Sequence, residues 1–152
     1  MTSKRRVAVL DDYGKHVIAV YVQDGTIDFE GAVLECFCVP GVGTLRGKSF
    51  KGATMYWAML AGADLSGCNV EGTDLRGANL RACRFHDANL SRANLGRDNL
   101  GHGAEFHGAD LSSAQLEGAL LEGATFDDDT QFPSEFDPAS AGMICESAGE
   151  ES

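Results

Sequence analysis

The chain has 152 residues, 43% hydrophobic and 23% charged, with a formal charge of −11. That hydrophobic fraction excludes a wholly disordered polymer, and no apolar run reaches the roughly 18 residues that cross a bilayer. The acidic balance disfavours nucleic-acid partners, which are held by clustered Lys and Arg.

The opening segment MTSKRRVAVLDDYGKH is basic but lacks an apolar core, so no secretory signal is expected from it. VAVLD and VIAVYVQDG read as two short strands joined near Asp12-Tyr13-Gly14. Residues 1–26 are therefore expected to form a β-hairpin that caps the repetitive part of the chain. Five cysteines occur, at Cys36, Cys38, Cys68, Cys83 and Cys145. An odd count without a signal fits a reducing, cytoplasmic setting. Cys36-x-Cys38 lacks the spacer and the second ligand pair of a zinc site, so no metal is assigned to it.

From Leu45 the sequence repeats every five residues. Large apolar residues stand at Leu45, Phe50, Met55, Leu60, Leu65, Val70, Leu75, Leu80, Phe85, Leu90, Leu95 and Leu100. Two places earlier lies a small residue: Ala53, Ala58, Ala63, Cys68, Thr73, Ala78, Cys83, Ala88 or Ala93. Gly43, Lys48 and Asp98 interrupt that second column. The register slips by one residue at Gly101-His102-Gly103, then resumes at Phe106, Leu111, Leu116, Leu121 and Phe126. A weaker copy lies upstream at Phe29, Leu34 and Val39.

A period of five fits neither an amphipathic helix nor a plain strand. In an α-helix the large residue would drift by about 140° at each repeat. A square coil restores the same orientation every five residues, with one pentapeptide per side and about 20 residues per turn, the short end of the solenoid range. The large residues from Met55 to Phe126 are then the structural core, with the small column beside them. Asp or Asn between the two (Asp64, Asn69, Asp74, Asn79, Asn89, Asn94, Asp110) faces outward. Gly two places after the large residue serves the corner. Counting 20 per turn plus the slip places Phe85 over Phe106, Leu90 over Leu111, Leu95 over Leu116 and Leu80 over Leu100.

The stretches AGADLSG, EGTDLRGANL, DANLSRANL and HGADLSSAQLEGALLEGA resemble pentapeptide-repeat proteins, whose unit reads A-(D/N)-L-x-x. The resemblance covers roughly residues 27 to 132, and DDDTQFPSEFDPASAGM is similar to a terminal segment of many members. It implies an all-β, right-handed quadrilateral parallel β-helix of about five coils, at one strand spacing per coil, over residues 27–132. It brings no catalytic residues. Residues 133–152 form an irregular acidic C-terminal capping segment, with Phe132, Pro133, Phe136 and Met143 over the last turn. Residues 127–152 carry eight acids and no base, so the coil itself is nearly neutral.

Three outward features could carry recognition. Tyr56, Trp57 and Met59 occupy solvent-facing places, yet are large and apolar; either the N-terminal segment folds over them or a partner protein does. His86 and His107 are expected on neighbouring turns, roughly 5 Å apart. With Asp87 they are weak metal candidates, against the plainer reading of surface histidines stacked by the repeat. Arg76, Arg81, Arg84, Arg92 and Arg97 spread over several faces among acids, as solvated ion pairs do.

No hydrolase elbow, phosphate loop, zinc-protease helix or dinucleotide fingerprint is present. The expected function is therefore a non-catalytic scaffold or protein–protein interaction module. It needs no cofactor, binds an unidentified protein partner rather than a membrane, and is a monomer or weak dimer. The family resemblance also implies an alternative, imitation of duplex DNA toward DNA gyrase. That role calls for dense negative charge, since duplex DNA carries about one charge per 1.7 Å.

Overall fold

A backbone that must return every five residues closes a tight turn at each corner. In this chain the carbonyl of most large residues accepts the N–H three places on: Phe50 O from Ala53 N at 2.8 Å, Leu60 O from Ala63 N at 2.9 Å, Leu75 O from Ala78 N at 3.0 Å. The third residue of most of these turns is left-handed, as at Gly52 (φ 65°) and Gly62 (φ 75°). That is the type II signature and the reason Gly recurs two places after the large residue. Trp57, Ala82, Asp87 and Arg92 adopt the same conformation (φ 55–59°) with a side chain, at a cost on the order of 1 kcal/mol each.

The computed structural model describes residues 5–10, 16–23, 26–35 and 45–147. The expected turn at Asp12-Tyr13-Gly14, the Cys36/Cys38 pair, Val39 and the last five residues lie outside the described residues. Successive coils join by parallel bridges such as Ser49–Asn69, Met59–Asn79 and Asp64–Arg84. Rungs run both ways, with Phe50 N donating to Asn69 O at 2.7 Å and Asn69 N to Lys48 O at 3.0 Å. The result is a right-handed quadrilateral β-helix. Phe50, Met55, Leu60, Leu75, Leu80, Phe85, Leu90, Leu95, Phe106 and Leu111 fill its axis, sealed from solvent, with Leu65, Val70 and Leu121 also buried. Each such side chain contributes about 1.5–3 kcal/mol before entropy is subtracted. Ala58, Ala78, Cys83, Ala88 and Ala93 share the interior. Leu116 and Phe126 are half-buried, because the C-terminal segment rather than another full coil covers them.

Strand β1 (Arg5–Leu10) pairs antiparallel with β2 (His16–Gln23), and β2 with β3 (Thr26–Asp28), giving the order β1-β2-β3. Two strands were expected here; the third runs two residues past position 26. Immediately after it, the Phe29 ring stacks on Phe50 with centroids 4.8 Å apart. At the other end, β4 (Thr125–Phe126) pairs parallel with β5 (Ile144–Cys145). Phe126, Phe132 and Phe136 form a ring cluster with successive centroids 5.3 Å apart, and Met143 is buried.

One stretch departs from the expected register. From Ser49–Asn69 to Asp74–Asn94, bridged residues are 20 apart; across it they are 26 apart, as in Asn79–Glu105, Arg84–Asp110, Asn89–Gln115 and Asn94–Leu120. Six residues are therefore extra, not one. Leu95 O accepts from Ala104 N at 3.0 Å instead of from the third residue on, and the intervening chain leaves the coil as a loop. The two readings agree modulo five, so periodicity alone does not separate them. Leu100 is consequently no core residue: it is 71% exposed at the loop's tip. The stacking below the loop shifts by one face, with Leu80 over Phe106, Phe85 over Leu111, Leu90 over Leu116 and Leu95 over Leu121. Among the described residues no helix is long and apolar enough to cross a membrane.

Candidate interaction surface

The extra loop is held by one carboxylate. Asp98 interrupts the small-residue column, and its side chain is buried. Asp98 Oδ1 accepts the Leu100 and His102 N–H groups, both at 2.8 Å, while Asp98 N donates to His102 O at 2.9 Å. Burial pushes the Asp98 carboxyl up. The backbone N–H groups of His102 and Leu100, aided by the His102 ring and the Trp57 indole, outweigh it and hold the group below its ordinary value. Asp98 Oδ2 makes no hydrogen bond of ordinary geometry; His102 Nδ1 lies 3.8 Å away.

Trp57 lies against this loop. Its indole covers Gly77, where a Cβ would come within 3.0 Å of Nε1, and meets the His102 ring edge-on at 5.8 Å. Tyr56 sits 6.2 Å from Trp57 and carries the Arg76 guanidinium over its ring at 5.6 Å. Arg76 is fixed in turn by a two-pronged bond to Asp74, at 2.9 and 2.8 Å. Trp57 remains 36% exposed and Met59 51%. The described contacts over Tyr56 and Trp57 thus come from the coils below. Leu100, 71% exposed, stands on the same loop as the His102 ring that the indole meets. Sequence reasoning singled out Tyr56, Trp57 and Met59 but missed Asp98 and His102 beside Trp57, and the exposure of Leu100. The acid in the small column and the Gly101-His102-Gly103 break were the available signals.

The histidines do not stack. The six-residue insertion puts His86 and His107 on different faces, a correction to the expected 5 Å pair. His86 Nε2 lies 3.2 Å from Asp110 Oδ2, and His107 Nε2 lies 2.9 Å from Glu146 Oε2. Ser112 holds the Asp110 carboxyl below its usual range, and His86 adds to this. Asp87 is engaged elsewhere, its N–H donating to Ser113 Oγ at 3.0 Å. No group of three metal-ligating side chains converges among the described residues.

Cys68 and Cys83 donate their thiols across coils to Leu45 O and Leu60 O, both at 2.9 Å, as Thr73 Oγ1 does to Phe50 O at 2.8 Å. Burial pushes these thiols up to about 11 and about 12. Both are expected to resist iodoacetamide at pH 8 in the native protein and to react after denaturation, as peptide mass mapping would show. Native labelling of either would contradict the packing.

A family model described as pentapeptide repeats matches eight copies, over residues 58–97 and 102–128, and the break between the blocks falls in the loop. Among solved structures, a pentapeptide repeat protein from Nostoc PCC 7120 is 34% identical, with 80% of this chain and 87% of that one covered, at a TM-score of 0.38. One from the Arabidopsis thaliana thylakoid lumen is 32% identical over 66% of this chain and 62% of its own, at 0.47. One from the cyanobacterium Cyanothece 51142 is 27% identical over 70% and 64%, at 0.45. The chain thus spans less than two thirds of the length of the last two. A search of the curated proteins returns no match. The eight repeat copies and the identity shared with the Nostoc protein establish, independently of any superposition, that this chain belongs to the pentapeptide-repeat family.

Proposed function

We propose that the chain is a non-catalytic protein–protein interaction module of the cytoplasm, presenting Trp57, Met59 and the Leu100 loop to a partner protein. The observation that carries this reading is Trp57: a bulky side chain in a left-handed corner, held in place over Gly77 and left partly open to solvent. Backbone strain of this kind persists where surrounding contacts or a function maintain it, and tryptophan is among the residues enriched at binding hot spots. The interior supports the reading, because a packed axis leaves the outer walls as recognition surface.

Charge layout weighs against the DNA-imitating alternative. Along the described coils acids are interleaved with bases: Lys51 with Glu71 at 3.2 Å, Arg81 with Glu105 at 2.7 Å, Arg76 with Asp74 at 2.8 Å. A continuous negative stripe is what duplex imitation would call for. A fluoroquinolone resistance protein, QnrB1, is among the structural neighbours, at 19% identity and a TM-score of 0.37; it supplies no argument about this chain's partner.

The test uses Trp57→Gly, which removes the anchor while relieving the left-handed backbone. A partner captured by crosslinking is purified and its affinity for both forms measured. The expected result is a loss of about tenfold or more, matching about 1.4 kcal/mol or more of anchor energy, with the melting temperature held. Unchanged affinity would remove the proposal.

A further inference from the structure

The loop opens the wall beneath it. Trp57 N donates to Arg76 O at 3.1 Å, but among the described residues the corner amides of Gly77 and Arg97 below it make no backbone hydrogen bond, and the Gly96 and Glu122 carbonyls receive none. Two rungs are missing on this one face, beside the loop, although Glu122 O stays 3.3 Å from where a Gly96 Cβ would stand. The lower of the two borders a cleft of about 430 Å³, within the range of ligand sites. Its wall includes Leu120, an apolar residue where the coils above place Asp74 and Asn94, and Leu120 is 58% exposed. Ala141 of the C-terminal segment closes the lower side.

Two charged residues border the cleft, Arg97 and Glu122, and Arg97 is its cation. Its side chain lies across Gly123, where a Cβ would collide with it. No carboxylate stands within ion-pair distance of it among the described residues, although Arg76 on the same face is committed to Asp74. Glu122, which also borders the cleft, packs its Cβ and Cγ against Gly142. The site therefore combines an unpaired guanidinium, an aliphatic wall and unpaired main-chain N–H and C=O groups.

We propose that this cleft binds the carboxyl-terminal residue of a partner polypeptide whose last side chain is aliphatic. Arg97 takes the terminal carboxylate, Leu120 and Ala141 take the side chain, and the unpaired Arg97 N–H and Glu122 C=O take main-chain groups. The last feature favours a peptide over a free fatty acid, which has no amide to offer. The proposal rests on the interaction-module reading but makes its own claim.

The experiment titrates the full-length, 15N-labelled protein with an acetylated tripeptide ending in leucine with a free carboxylate. The same tripeptide amidated, and octanoate, serve as comparisons. Saturable shifts are expected at the Gly96, Ala119 and Ala141 amides. Affinity is expected to fall about tenfold or more for the amidated peptide, for octanoate, and for Arg97→Gln, as loss of a charge-assisted hydrogen bond implies. Leu120→Asn, which restores the residue type of the coils above, should weaken binding similarly while leaving the melting temperature in place. Absent shifts, equal binding of the amide or of octanoate, or full retention in Arg97→Gln would each overturn the proposal. If Trp57→Gly still lowers partner affinity while the cleft shows no shifts, the cleft assignment alone falls.

Discussion

Phe85→Ala is expected to lower stability by about 3–5 kcal/mol and the melting temperature by about 6–20 °C. The Phe85 ring is sealed from solvent, stacked between Leu65 and Leu111 and tilted against Phe106 with centroids 6.3 Å apart. Coils above and below are fixed by their own rungs, so the cavity cannot collapse readily and the full penalty is felt. Leu100→Ala is the paired control. A strict five-residue reading makes Leu100 equivalent to Phe85 and expects a comparable loss. The structure, with Leu100 71% exposed in the loop, expects a change within about 0.5 kcal/mol. Urea titrations of both variants decide between them; similar losses would mean the loop assignment is wrong.

Deleting residues 98–103 is expected to give a folded, cooperative protein of at least native stability that no longer binds its partner. The junction would read Leu95-Gly96-Arg97-Ala104-Glu105-Phe106, which puts large residues five apart again with a small one two places before Phe106. The coil would return to 20 residues, and Arg97 N would meet Glu122 O to close the missing rung. Removing a surface loop costs little in closure entropy and saves the ordering of its residues. Trp57 would lose His102, the Leu100 projection would be gone and the cleft sealed. Deleting Gly101 alone serves as the contrast. It breaks the Asp98-capped loop and restores no rung, whereas a true one-residue slip would be cured by it. A six-residue deletion that fails to fold, or one that binds the partner as tightly as the full chain, would refute this account. Circular dichroism melts and the partner's dissociation constant supply the two readouts.

Much of this architecture was legible in the sequence, because a solenoid writes its geometry as a short period. Leu75, Leu80 and Phe85 could be placed in the interior by position alone, and Cys68 and Cys83 could be recognised as stand-ins for Ala. Trp57 stood out as a large apolar residue in a solvent-facing place. Four things were not legible. Leu116 and Phe126 carry the same repeat signal as Leu90, yet are only half-buried, because what covers them is the C-terminal segment and not another coil. A third N-terminal strand, Thr26–Asp28, hid in a stretch too short to show alternation. The His86 and His107 partners, Asp110 and Glu146, depend on which residues share a face below the loop. Asp98 looked like a flaw in the small-residue column and is instead the residue around which the loop turns.

The amino-acid order by itself determined that large and small side chains alternate on a five-residue clock, and hence that the backbone winds as a four-sided coil with its apolar side chains inward. Only the tertiary structure decided how many residues lie outside that coil. A clock of five returns the same phase after one extra residue as after six. The hydrogen bond from Ala104 back to Leu95 settles the number, and with it which faces stack, which charges pair, and where Trp57, Leu100 and Arg97 come to stand.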